Sequence, residues 1–310
     1  MAFLAPVIKE SHRQDNPSRR SQSMKKLAPF VWVAPAALLY LVFKLLPMIA
    51  GLYLAMLNWN GIDPAKFIGL KNFIDFFNDP LVGTALFNNV LYALGTVTGK
   101  NILALLIALL LNQALKGRSF YRTALFMPVV ISFVVVSILW AWLYNPSFGL
   151  INNLLQTLGL KFLILDWLGS PKVALWSLMV VDIWKWYGFH MVIFLAGLQT
   201  IPTELYEASS IDGASPWQSF WHITLPLLQP VMLVNVTISL MGAFNVFDIP
   251  YIMTEGGPAN STLVMALHIY IRGFKFYKFG YASALNYILL IIVTLVSAIQ
   301  MKLMSRNSSQ

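Results

Sequence analysis

The residues with chemistry to offer are few, and most of them cluster. Glu204, Glu207 and Asp212 lie with Gly213 in one stretch, residues 199–226, that carries no Lys or Arg. Thr203 can cap a helix there, and Glu204 then sits in the first turn, where the positive end of the helix dipole favours a carboxylate. Gly213 supplies a backbone conformation that other residues resist, and so ends that helix. Pro216 suits an early position of a second helix. A short acidic helix, a sharp bend and a second helix make a rigid elbow. Its chemistry is recognition: an acidic helix of this kind docks in a basic cleft on another protein, against the plainer reading of a solvated loop.

Catalysis has no comparable footing. Gly95-Thr-Val-Thr-Gly99-Lys100-Asn101 is one residue short of a nucleotide-binding P-loop and carries Asn where Ser or Thr belongs. Neither H-E-x-x-H nor G-x-S-x-G occurs, and cysteine is absent. His12, His190, His222 and His268 are scattered, which points to structural roles. No active site is expected on this chain.

The elements that must position the elbow follow from composition. Hydrophobic residues are 58% of 310 and charged residues 11%, with a mean hydropathy of +0.69. Soluble domains carry roughly 25% charged residues, so this chain cannot clothe a soluble surface. That excludes disorder, a nucleic-acid-binding arm and an ordinary cytosolic enzyme. The fold class is therefore all-α, a polytopic membrane protein. A crossing needs about 20 largely apolar residues, and six stretches qualify: roughly 29–55, 84–110, 123–144, 173–198, 226–249 and 280–301. The first, preceded by a long basic tail, reads as an uncleaved anchor rather than a signal. Gly95 and Gly99 form a GxxxG pair that lets two helices approach closely.

The net charge of +9 takes its meaning from where the charges fall. Lys9, Arg13, Arg19, Arg20, Lys25 and Lys26 in the tail 1–28, Lys116, Arg118 and Arg122 in a short loop, and Lys302 and Arg306 near the C-terminus share one side. The longer opposite loops hold Lys66, Lys71, Lys161, Lys172, Arg272, Lys275 and Lys278. Positive-inside bias makes the chain N-in and C-in, with six transmembrane helices within residues 29–304 and a short tail at 305–310. On the outer side, the stretches 67–77, 148–160 and 261–274 space their apolar residues as short helices would, caps of the bundle or docking surfaces for a partner.

Here the residues resemble a known family. Glu207-Ala208-Ser209, three residues, Gly213, nine residues, then Ile223-Thr224-Leu225-Pro226 matches the EAA loop of bacterial ABC importer permeases at every spacing, with Ser209 where a third Ala is usual. The segments 117–122, 145–152, 195–202 and 254–260 are similar to the saccharide branch, the maltose and glycerol-3-phosphate type, first permease subunit. The resemblance spans roughly residues 29–304. It implies a type I ABC importer permease fold and coupling to ATPase subunits through Glu204, Glu207, Ala208, Ser209, Asp212 and Gly213. It further implies a second homologous permease subunit, two ATP-binding cassette subunits that bind the ATP and Mg, and a periplasmic or extracellular solute-binding protein. No cofactor is bound by this chain itself. The site would be the bacterial cytoplasmic (inner) membrane, the cargo a saccharide, and the mechanism alternating access. A secondary transporter or channel, or a membrane enzyme acting on lipid-linked sugars, would lack the elbow.

The pathway is read from ionisable and aromatic residues within spans, which are costly there unless they function. Lys44, Lys100 and Lys185 qualify; Asp182, three residues before Lys185, is placed to pair with it on one helix face. Lys44 and Lys100 have no local acid and could snorkel or meet Asp248 across helices, with a polar cavity as the alternative. Trp184, Trp186 and Tyr187, with Asn235, Asn245 and Asp248, offer the rings and hydrogen-bonding groups that a sugar needs. The lysines without an acid raise the hypothesis of an anionic cargo, such as a uronate oligomer or a sugar phosphate.

Overall fold

The computed structural model describes residues 32–113 and 116–307, with side chains to residue 304. The basic tail 1–28 and the side chain of Arg306 lie outside the described residues. Two units are present, Met1–Tyr53 and Leu54–Gln310. The first holds most of α1 (Trp32–Ala55), an apolar helix with one π-turn at Leu41–Leu45 that carries Lys44.

The second unit is almost wholly helical. A two-residue ribbon, β1 (Leu57–Asn58) and β2 (Lys66–Phe67), pairs antiparallel with Leu57 opposite Phe67. Then follow α2 (Lys71–Asn78), α3 (Pro80–Asn112), α4 (Arg118–Val130), α5 (Phe133–Leu143), α6 (Leu150–Thr157) and α7 (Ala174–Leu198). After α7 come α8 (Thr203–Ile211), α9 (Pro216–Leu227), α10 (Gln229–Phe244), α11 (Asp248–Thr254), α12 (Met265–Tyr270) and α13 (Phe279–Asn307). The short helices α2, α6 and α12 fall in the three stretches whose spacing predicted them.

Four helices, α1, α3, α7 and α13, are long and apolar enough to cross a bilayer by themselves. In place of the two straight spans expected stand two bent pairs, each long and apolar enough only when its two helices are taken together: α4 and α5 meet at 95°, α9 and α10 at 68°. The causes are local. Pro128 removes a backbone donor near the end of α4, and Ser132 starts α5 afresh by accepting the Val135 amide at 3.4 Å. Pro230 likewise opens α10.

Helices α3 and α7 run side by side and form the spine. Their approach depends on glycine: a Cβ at Gly95 would lie 2.6 Å from Met179 Sδ, and one at Gly99 would strike Ile183. Small residues at such contacts let dispersion between helices replace the hydrophobic drive that lipid removes. At Gly188 the neighbour is the backbone carbonyl of Leu125, so α4 crosses α7 on bare backbone. Around this spine Tyr92, Leu178, Phe244, Ile249, Met265 and Leu285 fill one continuous core.

At the end of the bundle remote from α8, Asp79 gathers four elements. Its carboxylate caps α3 by accepting the Leu81 amide at 3.0 Å, ahead of Pro80 in the first turn. The other oxygen accepts from Arg272 at 2.8 Å, from the His268 imidazole at 3.1 Å and from the Tyr281 hydroxyl at 3.1 Å. One carboxylate thus ties α3, α12, the turn after it and α13.

Candidate coupling elbow and membrane cavity

The elbow begins where α7 ends. Pro202, not Thr203, occupies the cap position of α8 and makes no side-chain cap; Thr203 is the first helical residue. Glu204 lies in the first turn as expected, and Glu204, Glu207 and Ala208 are all exposed. The helix closes with the Gly213 amide donating to Ser210 and the Ala214 amide to Ser209, at 3.2 and 2.9 Å. Gly213 stands at φ +78°, the left-handed conformation that closes such helix ends. Ser215 and Gln218 then form a reciprocal capping box that starts α9, with Pro216 in its first turn.

Two hydrogen bonds brace the arms against each other. Tyr206 Oη meets Thr224 Oγ1 at 2.9 Å, and Ser209 Oγ meets Ser219 Oγ at 3.1 Å. Ser209, the departure from the usual alanine, is therefore a strut. Asp212 and Gly213 sit at the corner, on the rim of a depression of about 320 Å³ between the arms. The arrangement presents two carboxylates on an exposed helix that two hydrogen bonds tie to α9.

The second site is a cavity of about 270 Å³ between α3, α5, α7 and α10. It brings together Lys100, Asp182, Trp186, Asn245 and Asp248 from the sequence reading. The charges are arranged otherwise than expected. Asp182 pairs with Lys100, Nζ to Oδ2 2.9 Å, and both side chains are nearly inaccessible at 4% and 6%. Lys185 does not pair with Asp182. It turns toward the break between α4 and α5 and donates to the carbonyls of Pro128, Val129 and Ile131 at 3.4, 3.3 and 2.5 Å, beside the Phe133 ring. These are the carbonyls that a broken helix end leaves without partners, and a cation there also suits the dipole. Lys100 therefore meets its acid on α7 rather than Asp248.

Other expected pathway residues take structural places. Trp184 packs edge-on against Trp140, ring centroids 5.6 Å apart, and Tyr187 is buried away from the cavity. Asn235 is fully buried and consumed by His190: its Oδ1 lies 2.9 Å from Nδ1, and its Nδ2 donates to the His190 carbonyl at 3.3 Å. His190 Nε2 meets Ser239, which accepts from Asn101, so one polar chain joins α10, α7 and α3. Lys44 lies exposed along α1.

The sequence reading missed Phe133, Phe189, His190 and Phe247 in the cavity wall. A signal for two of them existed, because Asp182, Trp186, Phe189 and His190 recur at i, i+4, i+7 and i+8, one helix face. From Phe247 a row of rings leads out through Tyr251, Tyr270, Phe274 and Phe279 to Trp59, neighbouring centroids 5.1 to 5.9 Å apart. It ends at a polar depression of about 460 Å³ beside Asp79.

Comparison with known proteins bears on this geometry. Residues 100–309 match the model of the family described as binding-protein-dependent transport system inner membrane component. The chain belongs to that family. The probable ABC transporter permease protein YurN of Bacillus subtilis (strain 168) is 40% identical over 283 residues, 90% of this chain and 97% of that protein. The arabinooligosaccharides transport system permease protein AraP of the same organism is 35% identical, over 90% and 89% of the two chains. Among solved structures, a chain of a bacterial ABC transporter involved in the import of the acidic polysaccharide alginate aligns at a TM-score of 0.80. Identity there is 25%, over 93% of this chain and 99% of that one. The permease thus has the type I importer fold and is a membrane-embedded, non-enzymatic subunit of a transporter that works with a binding protein.

Proposed function

We propose that this permease forms half of the translocation path of an ATP-driven saccharide importer in the bacterial cytoplasmic membrane. A second permease subunit supplies the other half, two ATPase subunits that bind ATP and Mg seat the α8 helices, and a solute-binding protein delivers the cargo. The observation that carries this reading is the elbow: exposed Glu204 and Glu207 on a helix locked at Gly213 and braced to α9 at Ser209. Uphill transport needs an energy source that biases a two-state equilibrium, and a ligand biases it only by its differential affinity for the two states. ATP-driven closure of the partner subunits, transmitted through α8, provides that bias and exchanges inward-facing for outward-facing forms.

The cargo passes the cavity at Trp186, Asn245 and Asp248, where rings and hydrogen-bonding groups converge as sugar sites require. An acidic oligosaccharide is the reading supported by the likeness to the alginate importer. It does not rest on Lys100, whose charge Asp182 neutralises. The test is binding-protein-stimulated ATP hydrolysis by the assembled transporter in liposomes, with matched acidic and neutral oligosaccharides. Best stimulation by the acidic series supports the reading, and best stimulation by the neutral series refutes it. Glu207→Ala should cut import and stimulated hydrolysis while membrane insertion stays normal; import at the wild-type rate would refute the coupling role.

A further inference from the structure

The elbow has a second arm, and its outer face is aromatic. Trp217, Phe220 and Trp221 stand at i, i+3 and i+4 on α9, their ring centroids 5.4 to 5.9 Å apart. Trp217 is 68% exposed and Trp221 48%. Ser219 and Thr224, interleaved with the rings along the chain, make the two bonds to α8. With those bonds made, the Trp217 and Trp221 rings still stand exposed.

We propose that α9 is an interfacial helix whose Trp217–Phe220–Trp221 face lies among the lipid headgroups on the elbow side of the bilayer. Three observations select lipid as the occupant. First, α9 meets α10 at 68°, so an arm joined to a crossing helix leaves the crossing direction and turns toward the membrane plane. Second, no Asp, Glu, Lys or Arg occurs from Gly213 through Phe247, whereas α8 holds Glu204 and Glu207. The charge boundary falls at Asp212, the corner of the elbow. A neutral arm avoids the desolvation cost that charges meet at the bilayer, and it has nothing to offer a charged protein groove. Third, indole is the side chain best suited to that depth, with an apolar body and one polar N–H.

The two arms then divide the labour. The acidic arm is presented to a protein in water, and the aromatic arm rides at fixed depth in lipid. A push on α8 is converted into a swing of α10 instead of being lost by the elbow sinking into or lifting off the membrane.

The chain has no cysteine, which makes site-specific labelling direct. The transporter, assembled with cysteine-free partner subunits in lipid nanodiscs, would carry a nitroxide at Trp217→Cys, Trp221→Cys or, on a neighbouring face, Gln218→Cys. Expected at 217 and 221 is an oxygen-to-nickel-chelate accessibility ratio several-fold above that at 218. Equal access of the chelate to all three would place the rings in water and overturn the proposal. Protection of 217 and 221 from both reagents would place them against the ATPase or the second permease and overturn it equally. Substitution gives a second reading: Trp217→Tyr with Trp221→Tyr should keep import per ATP hydrolysed, and the paired change to Gln should lower it several-fold. Unchanged coupling in the Gln pair, or a loss in the Tyr pair as large as in the Gln pair, would refute interfacial anchoring.

Discussion

Lys100 and Asp182 show what a charge costs inside a membrane protein. Each alone would be expensive to bury; together, at 2.9 Å, they cross-link α3 and α7. Removing one partner strands the other, and such losses run to about 3–5 kcal/mol. Lys100→Met and Asp182→Asn should each lower the thermal midpoint of the assembled transporter markedly. The double variant Lys100→Met with Asp182→Leu should fall less than the two losses added. Import of neutral and acidic cargo should decline together in Lys100→Met, since the ammonium is already neutralised. A selective loss of acidic cargo would show instead that Lys100 touches substrate. Lys185 makes the complementary point, because among the described residues it forms no ion pair and serves as the missing hydrogen-bond donor at a broken helix.

Two junctions between elements invite comparison. A methyl at Gly95 meets the flexible end of Met179, but one at Gly188 meets the Leu125 carbonyl, which cannot turn aside. Overpacking costs typically about 1–3 kcal/mol. Gly188→Ala should fall at the upper end or beyond, with loss of assembled transporter on size exclusion, and Gly95→Ala near the lower end; the reverse order would contradict the packing described. The Asp79 junction predicts a pH response. Burial raises the Asp79 carboxyl, but the Leu81 amide and the charges of His268 and Arg272 outweigh it and leave it below the ordinary range. Burial also holds His268 below its ordinary value, against the pull of Asp79. Both folded values lie below the unfolded ones, so the unfolded chain binds more protons in acid and stability falls as pH drops. The loss should begin below about pH 6.5 and steepen below about pH 4, the unperturbed ranges of the two groups. Thermal midpoints across that range would check it, and Asp79→Asn should remove the steepening below about pH 4 while the fall below about pH 6.5, which belongs to His268, persists.

For the whole molecule the proposed function raises the question of how a push on α8 would reach the cavity. The path is short: α8, the braces at Ser209 and Tyr206, α9, the 68° bend and α10, whose Asn235 and Ser239 bind His190 at the cavity wall. Gly213 is its least replaceable point for conformational rather than steric reasons, since no atom lies within 4 Å of a Cβ placed there. The left-handed backbone costs ordinary residues about 1–2 kcal/mol, and Asn tolerates it better. Gly213→Asn should keep most import per ATP hydrolysed, and Gly213→Val should lose it while hydrolysis continues. Equal import by the two variants would show that the corner is not what transmits the stroke.

The amino-acid sequence alone determined whatever depends on local order. Apolar runs set the class, the Glu207–Pro226 spacing placed the elbow with its acidic helix and its Gly213 corner, and Gly95–Gly99 marked a close helix contact. These follow from neighbours within a few residues, where helix periodicity and backbone preference act. The tertiary structure decided every partner across helices. Asp182 is three residues from Lys185 and 82 from Lys100, yet it binds Lys100. The nearer lysine is drawn off by three carbonyls at a break that Pro128 and Ser132 create in another helix. In a medium without water a polar group binds whichever counterpart the packing brings to it, and sequence distance does not enter that choice.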